Sequence, residues 1–355
     1  MRVGILTSGG DCQALNATMR GLALTLYRNV KDVEIIGFID GYKGLMYEKY
    51  KKMKPKDFYD ILNVGGSILG NSRCPFKRMR IIENGFDKVK AMKNTYKKLE
   101  LDCLVVLGGN GSIKSANMLS QEGLNVIALP KTIDNDAWGT DYTFGYSSAT
   151  AIATRYLDEI KTTAASHSRV FVIEVMGHKV GHICLSAGIA AGADVILLPE
   201  IPYDIKVVAK KGKETLKNEK NYAIIACAEG AISEADALMK RKDYKAKVLA
   251  RNGRSVAYEV ADELSQEIDA EIRVSCIGHA QRGGNPNSYD REISTRFGVE
   301  GARLIIKKHY GEYVVLQGNH VTHIPLEATA GKLKYVDTEG EIVQSAKLVG
   351  ISFGE

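Results

Sequence analysis

Short apolar runs that end in glycine or turn residues recur along this chain, and they alternate with stretches long enough to be helices. Segments 3–7, 33–39, 103–107, 125–129, 170–175, 195–198, 223–227 and 272–277 each read as a buried strand. Between them, 16–26, 81–99, 113–121, 149–162, 254–268 and 291–308 read as helices. A run that is apolar on both faces needs cover on both, so this alternation predicts an α/β fold with mainly parallel sheets between helical layers. At 355 residues the chain is long enough for two such domains.

In open sheets of this kind ligands bind beyond the carboxyl ends of the strands, so the glycine-rich strand exits are where chemistry is to be sought. Three lie in the first half. Ser8-Gly9-Gly10-Asp11 leads from a strand into a helix, leaving free N–H groups and a positive helix end for a phosphate. Alone, it is equally well a tight strand-to-helix turn. Gly108-Gly109-Asn110-Gly111-Ser112 repeats the arrangement, in a form shared by several kinase families, and indicates nucleotide phosphate without naming the acceptor. Pro130-Lys131-Thr132-Ile133-Asp134-Asn135-Asp136 is more specific: two carboxylates two apart, with an ammonium and a hydroxyl, suit proton acceptance beside magnesium and phosphate. A second cluster of exits follows at Met176-Gly177, Glu229 and 278–284.

Composition excludes other classes. The net charge of +6 permits anionic substrates, but the lysine-rich runs 210–220 and 240–247 are interleaved with acidic or apolar residues, as solvated helix faces are. No nucleic-acid partner is expected. No apolar run approaches the ~20 residues of a membrane span, and the opening MRVGILTSGG lacks a secretory layout, so a cytoplasmic location and no membrane partner are expected. Cys12, Cys74, Cys103, Cys184, Cys227 and Cys276 form no CxxC pair, and neither disulfides nor zinc are expected. His178 and His182, four apart, would share a face only on a helix, and no acid adjoins them.

The segments SGGDCQALNATMRG, GGNGS, PKTIDND, TTAASHSRVFVIEVMG and GHAQRGG occur in the order and spacing of the phosphofructokinases, which this chain resembles over nearly its whole length. PKTIDND followed by WGTDYTFGY is most similar to the short bacterial group containing both ATP and pyrophosphate users. The resemblance implies two αβα sandwich domains with the active site in the cleft between them. Residues 1–145 with 281–331 would bind the phosphoryl donor, and 146–280 with 332–355 the sugar phosphate. It further implies Mg2+-dependent transfer from ATP to the 1-hydroxyl of fructose 6-phosphate. Asp134 would be the base, with Lys131, Thr132 and Asp136 beside it. Gly10, Arg73, Cys74, Arg78, Gly109, Asn110, Gly111 and Ser112 would hold the donor. Met176, Gly177, His178, Glu229, Arg273, His279 and Arg282 would meet the sugar phosphate, with Thr132 and Asp134 at its reacting hydroxyl. Arg169 would reach the 6-phosphate of a neighbouring subunit, making the protein a homodimer or homotetramer.

Two positions depart from the family pattern: Asn110 stands where an acid helps to hold magnesium beside Asp136, and His178 where an arginine faces the transferring phosphoryl group. They keep open a weakly active or non-catalytic sugar-phosphate-binding paralogue, against which Lys131, Asp134 and Asp136 argue. Leu24, Pro55 and Val64 fall where regulated relatives bind effectors, so the usual nucleotide activation is not expected. The donor is read from two residues that disagree. Lys131 is common in pyrophosphate users, whereas Gly111 marks ATP use, because the aspartate of pyrophosphate users would crowd and repel the α-phosphate of a nucleotide. ATP is the expected donor, with pyrophosphate the alternative and sedoheptulose 7-phosphate a further acceptor that the same anion clamp would fit.

Overall fold

The computed structural model describes residues 1–217, 220–329 and 331–355. The chain begins β1 (Arg2–Ser8), α1 (Leu15–Asn29), β2 (Glu34–Phe38), α2 (Tyr42–Met46), β3 (Tyr50–Met53), α3 (Lys88–Lys98), β4 (Cys103–Gly108), α4 (Asn110–Gln121), β5 (Val126–Pro130) and α5 (Tyr146–His167). It continues β6 (Val170–Val175), α6 (His182–Ala190), β7 (Val195–Leu197), α7 (Ile205–Lys217), β8 (Ala223–Ala228), α8 (Glu234–Ala237), α9 (Arg241–Ala250), α10 (Val256–Glu267) and β9 (Ile272–Cys276). The last elements are α11 (Ser288–Ile306), β10 (Glu312–Gln317), β11 (His320–Pro325) and α12 (Glu341–Leu348). Among the described residues no helix is long and apolar enough to cross a membrane.

Two compact units result: Met1–Ser148 with Arg282–Lys334, and Ala149–Gln281 with Tyr335–Glu355. Residues 332–334, expected in the second domain, belong to the first, because Leu333 bridges Ala137 and the Lys334 amide donates to the Asp136 carbonyl at 2.9 Å.

The first unit carries a seven-stranded sheet in the order β11-β10-β5-β4-β1-β2-β3, parallel except for its two edge strands. Every residue of β4 and β5 is buried, as a strand covered on both faces requires. On one face Leu6, Leu104, Val106, Val126 and Ala128 pack with α2, α3 and α4. On the other, α1 and α11 approach so closely that a side chain at Gly21 would lie 2.7 Å from the Thr295 carbonyl, and one at Gly298 2.3 Å from that of Thr18. The second unit holds a four-stranded parallel sheet, β7-β8-β6-β9, packed on one face against α7 and α10 through Val172, Ile225, Val208, Val260 and Leu264.

The eight strands read from the apolar runs are present, with ends shifted by a residue or so. The expected helix 81–99 is not. It starts at Lys88, because Asn84 and Gly85 adopt left-handed φ of 51° and 76°, Glu83 and Phe86 close a tight turn, and Asp87 caps the helix by accepting from the Lys90 amide at 2.9 Å. Of the lysine-rich runs, 210–217 lies in α7 and 241–247 in α9, while 218 and 219 lie outside the described residues.

Candidate active site

In the first unit the three glycine-rich exits stand side by side. β1, β4 and β5 are adjacent, and their register aligns Ser8 with Gly108 and Gly108 with Pro130. Gly9 turns the first exit with φ of 93°, a conformation that suits glycine. Gly108 is required by packing, since a Cβ there would lie 2.3 Å from that of Ser112. Gly109 precedes α4, so the first amides of that helix open at the end of β4. A Cβ at Gly111 would meet nothing within 4 Å.

Lys131 is buried, and its Nζ donates to the Gly10 carbonyl. Burial lowers its pKa to about 8, and the nearby Arg282 guanidinium acts in the same direction. Burial raises the Cys12 thiol to about 12, so Cys12 stays neutral. Arg282 reaches the same loop: its Nη1 donates to the Asp11 carbonyl at 2.9 Å and lies 2.7 Å from where a Cβ on Gly10 would be. Two cations therefore converge on residues 10 and 11, an electropositive corner at the mouth of β1. Beside it, Ser72 pairs with Ser8, and the Gly9 amide donates to the Ser72 carbonyl at 3.0 Å. This leads Arg73 and Cys74 away from the corner into a cavity of about 190 Å³ shared with Arg78, Lys43, Tyr47 and Lys88.

The 131–136 loop is held by its own side chains. Thr132 Oγ1 accepts from the Asp134 amide at 3.1 Å, Thr143 Oγ1 donates to the Thr132 carbonyl at 2.7 Å, and the Asn135 side chain accepts from the Thr143 amide. Asn135 takes a left-handed φ of 55°. Asp134 is half-buried and Asp136 buried. Asn110 turns its amide nitrogen toward the Lys332 carbonyl at 3.2 Å. Lys334, which burial lowers to about 8, donates from Nζ to the carbonyls of Thr140 and Asp141, each at 2.8 Å.

In the second unit Met176, Gly177 and Glu229 follow adjacent strands, β6 and β8. Glu229 Oε1 accepts from the amides of Gly177 and His178, fixing that turn, and the Met176 amide donates to Gln281 Oε1 at 3.2 Å. A Cβ at Gly177 would lie 2.4 Å from the Val180 carbonyl. His178, with φ of 54°, is exposed, and α6 begins only at His182, so the two histidines do not share a helix face. A cavity of about 640 Å³ opens here, lined by Glu174, His178, Glu229, Tyr244, Arg251 and Ser255 among others. Burial raises the Glu174 carboxyl above its usual range, and Ser255 Oγ donates to it. His279 follows β9 in an exposed 3₁₀ turn.

The family model described as phosphofructokinase matches residues 2–305. The chain belongs to that family. The ATP-dependent 6-phosphofructokinase of Spirochaeta thermophila is 46% identical over 99% of this chain and 97% of its own length. ATP-dependent 6-phosphofructokinase 3 of Bacteroides thetaiotaomicron is 42% identical over the full length of both. Among solved structures, the phosphofructokinase of Pichia pastoris in the T-state superposes with a TM-score of 0.80 at 29% identity over 93% of this chain. This chain spans about a third, 35%, of that yeast protein.

Within this phosphofructokinase, the sequence-derived site residues separate into three groups. Gly10, Gly109–Ser112, Lys131, Thr132, Asp134, Asp136 and Arg282 gather at the exits of the first sheet, with Arg73, Cys74 and Arg78 in the adjoining cavity. Met176, Gly177, His178, Glu229 and His279 gather at the exits of the second. Arg169 and Arg273 belong to neither group. Arg169 precedes β6 and Arg273 is the second residue of β9, so both sit at the entry end of the sheet, about 20 Å along the strand from Met176. Glu271 joins them, accepting from Arg169 Nε at 2.5 Å and from Arg273. Strand direction thus sets Arg273 beside Arg169, at the opposite end of the sheet from His279. Not singled out from the sequence were Lys334, which stands two residues after Lys332 with no glycine or carboxylate motif around it, and Thr143 of the quoted WGTDYTFGY, whose hydroxyl serves the loop.

Proposed function

We propose that this chain is an ATP-dependent 6-phosphofructokinase, moving the terminal phosphoryl group of ATP onto the 1-hydroxyl of fructose 6-phosphate. One observation carries the reading: the ends of β1, β4 and β5 align, setting a helix N-terminus, a buried lysine and a carboxylate loop beside one another. Phosphoryl transfer asks for little covalent chemistry and much placement of charge, which this arrangement supplies. Asp134 takes the proton as the hydroxyl oxygen bonds to phosphorus and the bond to ADP breaks. Lys131 and Arg282 stabilise charge on the transferring group, and the amides of 109–112 take donor oxygens. Arg73, Cys74 and Arg78 hold the far end of the donor in their cavity. Met176, Gly177, Glu229 and His279 bind the sugar.

Residues for a metal fit Mg2+ rather than a softer ion. The Asn110 side-chain oxygen, whose nitrogen donates to Lys332, and the Asp136 carboxylate are the oxygen ligands that would hold it. Mg2+ would neutralise charge on the donor phosphates. The open space beyond Gly111 favours a nucleotide, whereas Lys131 serves either donor and keeps pyrophosphate as the second reading. The Arg169–Arg273 pair of a second subunit would bind the phosphate of the acceptor, which would make the active form a homodimer or larger.

The test is a coupled assay of purified protein with fructose 6-phosphate and Mg2+, run with ATP and with pyrophosphate. Turnover with ATP is expected to exceed turnover with pyrophosphate at matched saturation, and the reverse would change the donor. Asp134→Ser is the control: it should lose about 10² to 10⁴ in kcat with KM for the sugar phosphate nearly intact. Saturable sugar-phosphate binding without turnover from either donor would favour a non-catalytic binding protein.

A further inference from the structure

A short segment near the end of the first unit touches both the donor loop and the carboxylate loop. The Lys332 carbonyl accepts from Asn110 Nδ2 at 3.2 Å, Leu333 pairs with Ala137 in an antiparallel bridge, and the Lys334 amide donates to the Asp136 carbonyl at 2.9 Å. From there the Lys334 ammonium reaches back over the loop to the carbonyls of Thr140 and Asp141, both at 2.8 Å. The Lys332 ammonium lies 5.5 Å from the ring centroid of Trp138. Three successive residues thus bind one loop at 110 and the other at 136–141, more than 190 positions away in sequence.

We propose that residues 332–334 are a strap that sets the position of the carboxylate loop against the donor loop, with Lys334 as its positioning residue. The inference rests on the kinase reading above. Asn110 is the first residue of α4, whereas Asp136 lies six residues beyond the end of β5, so the segment ties a helix start to a loop that leaves its strand well before the carboxylate. In-line transfer tolerates little misplacement between base and donor, so a link between the loops that carry them acts on the rate rather than on sugar binding. The identity of residue 110 agrees with this role. An amide can donate to the Lys332 carbonyl, whereas a carboxylate would set its oxygen against it.

The experiment compares Lys334→Met, Lys334→Arg and Asn110→Ala with wild type in the full chain. Lys334→Met should lower kcat by about 10²-fold with KM for fructose 6-phosphate changed less than about twofold, and Lys334→Arg should recover most of the loss. Asn110→Ala also removes an oxygen assigned to the metal, so its kcat does not isolate the strap and this variant is read by the fluorescence measurement alone. Trp138, the only tryptophan of the chain, reports the strap without any turnover: acrylamide quenching of its emission should rise in Lys334→Met and Asn110→Ala. A Lys334→Met enzyme within about threefold of wild-type kcat would overturn the proposal, as would equal losses in Lys334→Met and Lys334→Arg that follow the loss of folded protein. Unchanged quenching would overturn it too. Absence of turnover in wild type would instead remove the kinase reading, leaving the quenching result to judge the strap.

Discussion

Lys131 carries its charge where burial opposes it. With its pKa lowered to about 8, the ammonium is held by the Gly10 carbonyl and would gain most when a phosphate arrives. The kcat/KM for the donor should therefore fall as pH rises through about 8, and Lys131→Met should be lower at every pH and lose that alkaline limb; a kcat/KM profile from pH 6 to 10 checks both. The linkage has a definite sign. The folded pKa lies below the unfolded value of about 10.4, so the unfolded chain binds more protons between the two and this group's contribution to stability rises with pH across that window. Gly111 makes a second residue-scale prediction. Since a side chain there meets no protein atom, Gly111→Asp should fold normally and act only on the donor. It should depress kcat/KM for ATP by roughly tenfold or more relative to that for pyrophosphate, because a carboxylate would repel the nucleotide α-phosphate. Equal effects on both donors would sink that account.

At the scale of elements, what was legible followed from burial. β4, β5 and β8 are buried along their whole length and apolar without interruption, β1 and β6 are apolar but for Arg2, Thr7 and Ser8 in the one and Glu174 in the other, and the runs announce them. β3 is an edge strand of sequence YKKM whose lysines face solvent, and nothing apolar marks it. The β10–β11 hairpin did leave a sign, Gly318-Asn319 between two strand-like runs, with Gly318 at φ of 58°. α6, HICLSAGIA, is apolar all round and so shows no helical stripe. The exits of the site were legible because glycines and carboxylates announce chemistry by type, whereas the ties that hold them are ordinary residues. Asp290 is the clearest of these. Buried in the first turn of α11, it accepts from the Gly145 amide at 3.0 Å, the Ser148 amide at 2.8 Å and Ser148 Oγ at 2.5 Å, pinning the start of α5. Asp290→Ala would strand those donors and should cost roughly 3 kcal/mol, read as a lowered urea midpoint. Burial raises the Asp290 carboxyl above its usual range, so the folded form holds the proton more tightly, and this contribution is lost as pH rises from about 4 through the raised value. The variant should lack that slope.

At the scale of the whole molecule, strand direction decides which groups one subunit can bring to one sugar. The parallel sheet of the second unit sends Met176 and Glu229 out at one end and keeps Arg169 and Arg273 at the other. The two arginines share Glu271 and so lack a dianionic partner of their own, which is what the phosphate of a sugar phosphate would be. If that phosphate is bound by the arginines of a second copy while its reacting end meets Asp134 of the first, each active site is built from two chains. Complementation separates this from a site within one chain. Mix Asp134→Ser subunits with subunits carrying Arg169→Ala and Arg273→Ala, each inactive alone, and allow them to exchange. In a mixed dimer with shared sites, one site receives both defects and the other receives neither. Half of the dimers are mixed and half of their sites are intact, so about a quarter of wild-type activity should return on mixing equal amounts. With every group drawn from one chain, each site of the mixed dimer would carry one defect and no activity would return. A rate that stays at the sum of the two parents, while exchange is verified by mass, would therefore assign Arg169 and Arg273 to some role other than completing a neighbour's site.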